Sequence, residues 1–176
     1  MDSIKGLTII SNFVNEYQHD WLIEKIYSLP WSNELKRRTQ HYGWKYRYDR
    51  RPMTEKDYLG DLPIWLTRFS KHLDTWLLPN QVIINDYQPK QGIGEHIDHT
   101  FNFTETIVSL SLMSPGLMVF RQAEEVITKE LNPRDLLILT GDARYKWSHQ
   151  LKPVTQRRVS ITFRRIRTKA DSVPFK

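Results

Sequence analysis

His96, Asp98 and His99 stand together in HIDH, directly after the glycine-rich run QGIGE. An imidazole and a carboxylate two positions apart on an extended segment project to the same side, and both suit a borderline divalent metal. The same four residues also fit a polar loop that coordinates nothing. A third ligand decides between the two, and His149, His99 and His41 are the candidates. His149 follows the strand-like segment YKWS, where a late barrel strand would return beside an early one. Two histidines and one carboxylate on one face of a metal form the facial triad that suits a non-haem Fe(II) centre, with positions left open for oxygen and a co-reactant. The chain has no cysteine, which excludes disulfides, thiolate nucleophiles and thiolate ligands. Any metal must sit on N and O donors, which suit Fe(II), Mn(II), Co(II), Ni(II) or Zn(II).

A second polar pattern lies near the C-terminal end. In RVSITFR, strand alternation puts Val159, Ile161 and Phe163 on one face and Arg158, Ser160, Thr162 and Arg164 on the other. Two arginines facing water would be unremarkable, but facing a barrel interior each needs an anion. IVSLSLM shows the same split, with Ser109 and Ser111 opposite Val108, Leu110 and Leu112. The pair predicts a wet, polar-lined cavity. A third pattern is basic and aromatic. KRRTQHYGWKYRYDRR holds seven Lys/Arg against one Asp, with Tyr42, Trp44, Tyr46 and Tyr48 at alternate positions. Such a segment can hold phosphates and stack bases; it can equally be a half-buried hairpin with its rings inward and its cations in water.

The elements that must position these groups fall into two parts. Before residue 80 two stretches have helical periodicity. One starts at an Asn15 N-cap with Leu22, Ile26 and Leu29 on one face until Pro30; the other opens at Pro63 with Leu66, Phe69, Leu73, Trp76 and Leu77. After residue 80 come short strands, VIINDY, GEHI, IVSLSLM, LMVFR, EVITKEL, LLIL, YKWS and RVSITFR, with turns at SPG and NPRD. The expected class is α+β, a jelly-roll β-core flanked by N-terminal helices. One domain spans the 176 residues, with 1–80 as helices and lid and 81–176 as core. No apolar run is long enough to span a bilayer and MDSIKGLTII does not read as a secretory signal. A soluble, cytoplasmic monomer is expected. The formal charge of +6 and pI near 9.5 suit a polyanionic partner.

INDYQPKQGIGEHIDH, IVSLSLM, GDARYKWSHQ and RVSITFR, taken in order, resemble the AlkB family of Fe(II)/2-oxoglutarate dioxygenases over the second half of the chain. The resemblance implies a double-stranded β-helix, with iron on His96, Asp98 and His149 and with 2-oxoglutarate and O2 as co-reactants. Asn85 and Tyr87 match the family's N-x-Y strand at the cosubstrate, and Arg158 and Arg164 its R-x5-R. By resemblance Arg158 pairs with the distal carboxylate of 2-oxoglutarate, Arg164 works nearer the metal, and Ser160 lies between them on the polar face. An N-methyl group oxidised in such a site leaves as formaldehyde, whereas a carbon-attached position stays hydroxylated. QHYGWKYRYDRR occupies the place of the family's nucleotide lid and looks closer to the tRNA-modifying branch than to the alkylation-repair enzymes. Repair-type members carry an acid two positions beyond the ligand Asp, where this chain has Thr100.

The expected substrate is a nucleic-acid base, contacted by Tyr42, Trp44, Lys45, Tyr46, Arg47 and Thr100. The alternatives are an AlkB-like oxygenase acting on a methylated protein, and a non-catalytic basic module that keeps the barrel. His99 has the wrong parity to join the ligands and is assigned to solvent or the substrate rim; His41, His19 and His72 are assigned to surface or capping positions. Glu95 is expected in solvent, Tyr145 and Trp147 in or near the core, and Arg144 near the mouth.

Overall fold

The computed structural model describes residues 3–167. Its centre is a six-stranded antiparallel sheet in the order β1-β8-β5-β10-β3-β2, faced by a four-stranded sheet in the order β4-β9-β6-β7. The large sheet is built from β1 (Leu7–Ile10), β2 (Arg38–Tyr42), β3 (Gln81–Tyr87), β5 (Ile107–Leu112), β8 (Leu136–Leu139) and β10 (Arg158–Arg164). The small sheet comprises β4 (Ile93–His96), β6 (Gly116–Gln122), β7 (Glu125–Leu131) and β9 (Ser148–Leu151). This is the expected jelly-roll core. Alternation gives each large-sheet strand two jobs. Val82, Ile84, Val108, Leu110, Val159, Ile161 and Phe163 pack beneath the helices, while Ile83, Ile107, Leu137 and Leu139 turn toward Phe120 and Leu131 between the sheets.

Helix α1 (Glu16–Tyr27) starts as its sequence dictates. Asn15 Oδ1 accepts from the Gln18 amide at 2.8 Å and Gln18 Oε1 accepts from the Asn15 amide at 2.9 Å, a reciprocal cap that satisfies two otherwise orphaned donors. Leu22 and Ile26 are its buried residues. Helix α2 (Ile64–Ser70) follows Pro63 and buries Leu66 and Phe69, then tightens into a 3-10 turn over Lys71–Leu73. A third, short helix, α3 (Gly141–Tyr145), precedes β9. No helix among the described residues is long and apolar enough to cross a membrane.

Three sequence expectations are corrected here. The part before residue 80 is not helical scaffold alone, since β1 pairs with β8 and β2 with β3. LTII is too short, and RTQHY too polar, to announce a strand without its partner. YKWS is not a strand: GDARY forms α3, and the strand is SHQL, so that His149 lies within β9. His41 is not a surface or capping residue, because it belongs to β2 and its Nδ1 accepts from the Tyr46 amide at 3.2 Å.

The large sheet is locked at one edge by Asp86, which is fully buried. Arg38 reaches its Oδ2 at 2.5 Å, Arg157 does so at 2.8 Å, and Tyr27 donates to its Oδ1 at 3.2 Å. Burial raises the Asp86 pKa, but the hydrogen bonds from Arg157 and Arg38 outweigh burial and leave it lowered. Replacing Asp86 by Asn should destabilise the fold by about 2 kcal/mol at neutral pH through loss of charge-assisted hydrogen bonds, read by urea unfolding. A carboxylate with a depressed folded-state pKa contributes stability above its unfolded value and loses it as pH falls through the folded one. The gap between wild type and D86N should hold above about pH 4 and close below it.

Candidate metal and cosubstrate site

The end of β4 and the middle of β9 are antiparallel neighbours, with His96 opposite His149 across the pair. The two rings lie with centroids 4.5 Å apart. Asp98, two residues beyond the end of β4, brings its carboxylate to the same point. One ligand atom from each of His96, Asp98 and His149 lies within 4.8 Å of the others. His96 Nδ1 donates to the Gly94 carbonyl at 2.8 Å, which fixes that ring and leaves its other nitrogen for a metal. His149 Nε2 stands 3.7 Å from Asp98 Oδ2.

Arg164, at the far end of β10, determines how Asp98 is presented. Its Nε and Nη2 reach Asp98 Oδ1 at 2.9 and 2.6 Å, so that this oxygen is committed and Oδ2 faces the imidazoles. Burial raises the Asp98 pKa, but Arg164 and then the neighbouring imidazoles reverse the effect and hold it well below the ordinary carboxylate range. Burial lowers His149 to about 4. At neutral pH the site therefore holds an anionic carboxylate beside an uncharged His149, the ionisation that a metal ligand set requires. Arg144 adds a backbone anchor by donating to the carbonyls of Asp98 and His99 at 2.9 and 3.0 Å.

From this triad a cavity of about 380 Å³ runs between the sheets. Arg158, Ser160, Thr162 and Arg164 all line it, as the alternation of RVSITFR requires. At the inner end Arg158 is 2% exposed. Its Nη2 donates to Ser111 Oγ at 2.8 Å and its Nη1 to the Val159 carbonyl at 3.2 Å, while Nε has no partner and no carboxylate pairs with it among the described residues. A buried guanidinium in that state calls for an anion. Asn85 and Tyr87 project from β3 into the same lane, beside Ser160 and Arg158 of β10. The donor set thus fits a small dicarboxylate at one end and a divalent ion at the other. Gly116 had no role in the sequence reading beyond marking a turn, yet an added Cβ there would lie 2.4 Å from Arg158 Nε and 2.9 Å from its Cδ.

The outer end differs from expectation. Of the six residues assigned to substrate, Tyr46 alone lines the cavity. Tyr42 turns to the helix side against Trp65, and Trp44 packs on Tyr58. Lys45 pairs with Glu34 at 2.8 Å, Arg47 with Asp49 at 2.6 Å, and Thr100 is exposed outside the cavity wall. Their place at the mouth is taken by Arg37, Tyr48, Arg50 and His99. Arg37 donates from Nε to Asn85 Oδ1 at 2.8 Å. His99 is not a solvent residue: it is 4% exposed, accepts from Asn102 at 2.9 Å on Nδ1, and stacks on Phe101 and Phe103. Asn102 Oδ1 in turn accepts from the Met53 amide, tying the segment after β2 to the HIDH loop. The parity of KRRTQHY was the available signal: alternation sends Arg37, Thr39 and His41 one way and Arg38, Gln40 and Tyr42 the other. Glu95 is exposed as expected and pairs with Arg121, and Trp147 is buried in the core.

Residues 14–164 match the 2OG-Fe(II) oxygenase superfamily. The chain belongs to that family, an oxidoreductase class whose co-reactants are Fe(II), 2-oxoglutarate and O2, and its relatives include AlkB homologues. It is 30% identical, over 94% of its length and 59% of the relative, to an Arabidopsis thaliana protein named alkylated DNA repair protein ALKBH8 homolog. It is 34% identical, over 84% of its length, to the Xenopus tropicalis tRNA (carboxymethyluridine(34)-5-O)-methyltransferase alkbh8, of which it spans 25%. The solved structure of OsALKBH1 has the same fold, with a TM-score of 0.74 at 14% identity over 91% of this chain and 96% of that one.

Gly116→Ala should push Arg158 out of its slot. We expect the KM for 2-oxoglutarate to rise about tenfold or more, as when one strong charge-assisted contact is lost. Fe(II) binding should be unchanged. Steady-state kinetics beside metal titration checks both, and an unaltered KM contradicts the role given to Arg158.

Proposed function

We propose that this chain is a 2-oxoglutarate-dependent dioxygenase that oxidises a nucleic-acid base, by removing an N-alkyl group or by hydroxylating a modified tRNA base. The observation that carries the reading is the mouth itself. Tyr48 offers an exposed ring on the cavity that holds the ligand triad, with the Arg37 guanidinium 5.9 Å from its centroid and Arg50 on the same lining. Rings that accept a flat base, set among cations that accept its phosphates, are what a nucleic-acid pocket needs. The names of the Arabidopsis and Xenopus relatives speak of alkylated DNA repair and of tRNA uridine modification, and so also point to chemistry on a base.

Each residue then has a task. His96, Asp98 and His149 hold iron, and Arg164 keeps Asp98 Oδ1 occupied so that the carboxylate offers a single oxygen. Arg158 takes the distal carboxylate of 2-oxoglutarate, with Tyr87, Asn85 and Ser160 lining its path. Ile83, Leu137 and Leu151 form an apolar wall that keeps water from the reacting atoms. When bound, iron and 2-oxoglutarate would activate O2, one oxygen atom going to a substrate C–H and the other to the succinate that forms with CO2 from the cosubstrate. The protein's own part is position and charge. The N-terminal lid and the β-core act together as one domain, and a ferrous centre fed by 2-oxoglutarate suits the reducing cytoplasm.

Succinate release with Fe(II) and 2-oxoglutarate should be coupled to methylated oligonucleotides or tRNA, with the altered nucleoside found by mass spectrometry. Coupling to methylated peptides alone would overturn the proposal in favour of a protein substrate. Tyr48→Ala should raise the KM for an oligonucleotide about tenfold, the size of one lost base–aromatic stack.

A further inference from the structure

The mouth carries cations without matching acids. Arg37 is fixed in the cavity wall by its bond to Asn85 Oδ1, with its guanidinium 5.9 Å from the Tyr48 ring centroid. Arg50 lines the same opening. Neither has a carboxylate partner among the described residues. The acids nearby are all committed elsewhere: Glu95 to Arg121 and Ser148, Asp49 to Arg47 and Arg51, Glu34 to Lys45, and Asp98 to Arg164. His99 on the same lining is buried, with Nδ1 accepting from Asn102. Thr100 is uncharged and exposed outside the cavity lining.

A target base laid on the exposed Tyr48 ring lies close to the Arg37 guanidinium, which stands beside that ring. In a partly desolvated slot, a unit positive charge on that base is repelled by Arg37 and Arg50 with no counter-charge to offset it. A neutral or acidic base meets the opposite situation. Arg37 already uses Nε on Asn85, so its two terminal nitrogens remain to donate to a ring carbonyl or an anionic substituent.

From this geometry we infer that the mouth is a charge filter, with Arg37 its principal element, that admits neutral or anionic modified bases and rejects bases made cationic by ring-nitrogen alkylation. The inference rests on the nucleic-acid reading above and sharpens it to a substrate class. It also makes Arg37 a specificity residue that bridges the cosubstrate contact Asn85 and the target base.

The test compares kcat/KM on single-stranded oligonucleotides bearing a neutral base, N6-methyladenine or 3-methyluracil, with the same sequences bearing cationic 1-methyladenine or 3-methylcytosine. Wild type should favour the neutral pair about tenfold or more, the scale of one unscreened like-charge contact near a surface. Arg37→Lys should keep that ratio, Arg37→Gln should reduce it, and Arg37→Glu should invert it. Because the ratio is taken within each variant, any effect on 2-oxoglutarate binding through Asn85 cancels. Preference for the cationic bases in wild type, or a ratio indifferent to all three substitutions, overturns the filter while leaving base oxidation intact. Turnover of peptides with no turnover of any oligonucleotide overturns both.

Discussion

A carboxylate that is 2% exposed, with one oxygen held by a buried arginine and the other turned to two imidazoles, organises this protein. Asp98 could not remain charged at that depth without Arg164, and Arg164 could not be buried without Asp98. The pair also sets what surrounds it. The Arg164 guanidinium lies 5.0 Å from the Tyr46 ring centroid and 5.2 Å from that of Phe103, so the segment after β2 and the loop following HIDH pack against the same cation. Arg144 grips the carbonyls of Asp98 and His99 from below. Asp98, Tyr46 and the loop after HIDH therefore share one electrostatic anchor.

The rest of the cavity follows from the geometry of β10. Its neighbours β3 and β5 hold it in the middle of the large sheet, and its period-two alternation divides the labour. Val159, Ile161 and Phe163 support the helices, while Arg158 and Arg164 stand at opposite ends of a polar lane whose middle is Ser160 and Thr162. The spacing of the two arginines is the strand's own rise per residue, about 3.3 Å, taken six times. Gly116 is the cost of the arrangement on the opposite sheet, since a side chain there would occupy the space of Arg158.

The polar face of RVSITFR was legible because alternation is a local rule, and so were the Asn15 cap and the HxD pair. The β-core was legible too, from strand runs separated by strong turn signals. What escaped was whatever depends on a distant partner. RTQHY becomes β2 only because β3 offers an edge, so KRRTQHYGWKYRYDRR could be read as a grip on phosphates and bases or as a half-buried hairpin, with nothing local to say which residue enters the cavity. In three dimensions its two faces have unrelated roles: Arg37 enters the cavity, while Arg38 locks Asp86 and Tyr42 packs under the helices. His99 was left between rim and solvent for a similar reason. Its parity excludes it from the ligand set, but parity says nothing of Asn102, Phe101 and Phe103, which bury it at the mouth. YKWS failed as a strand because its apolar and aromatic residues are shared between the end of α3 and the core contact of Trp147.

The central claim is that His96, Asp98 and His149 form one metal site completed by Arg164. Anaerobic titration of the metal-free protein with Fe(II), carried out on wild type and on His149→Ala and Asp98→Ala, tests it most directly. The account predicts one ferrous ion bound per chain in wild type and loss of that ion in both variants. Equal uptake by all three proteins, or no uptake by wild type, would contradict it.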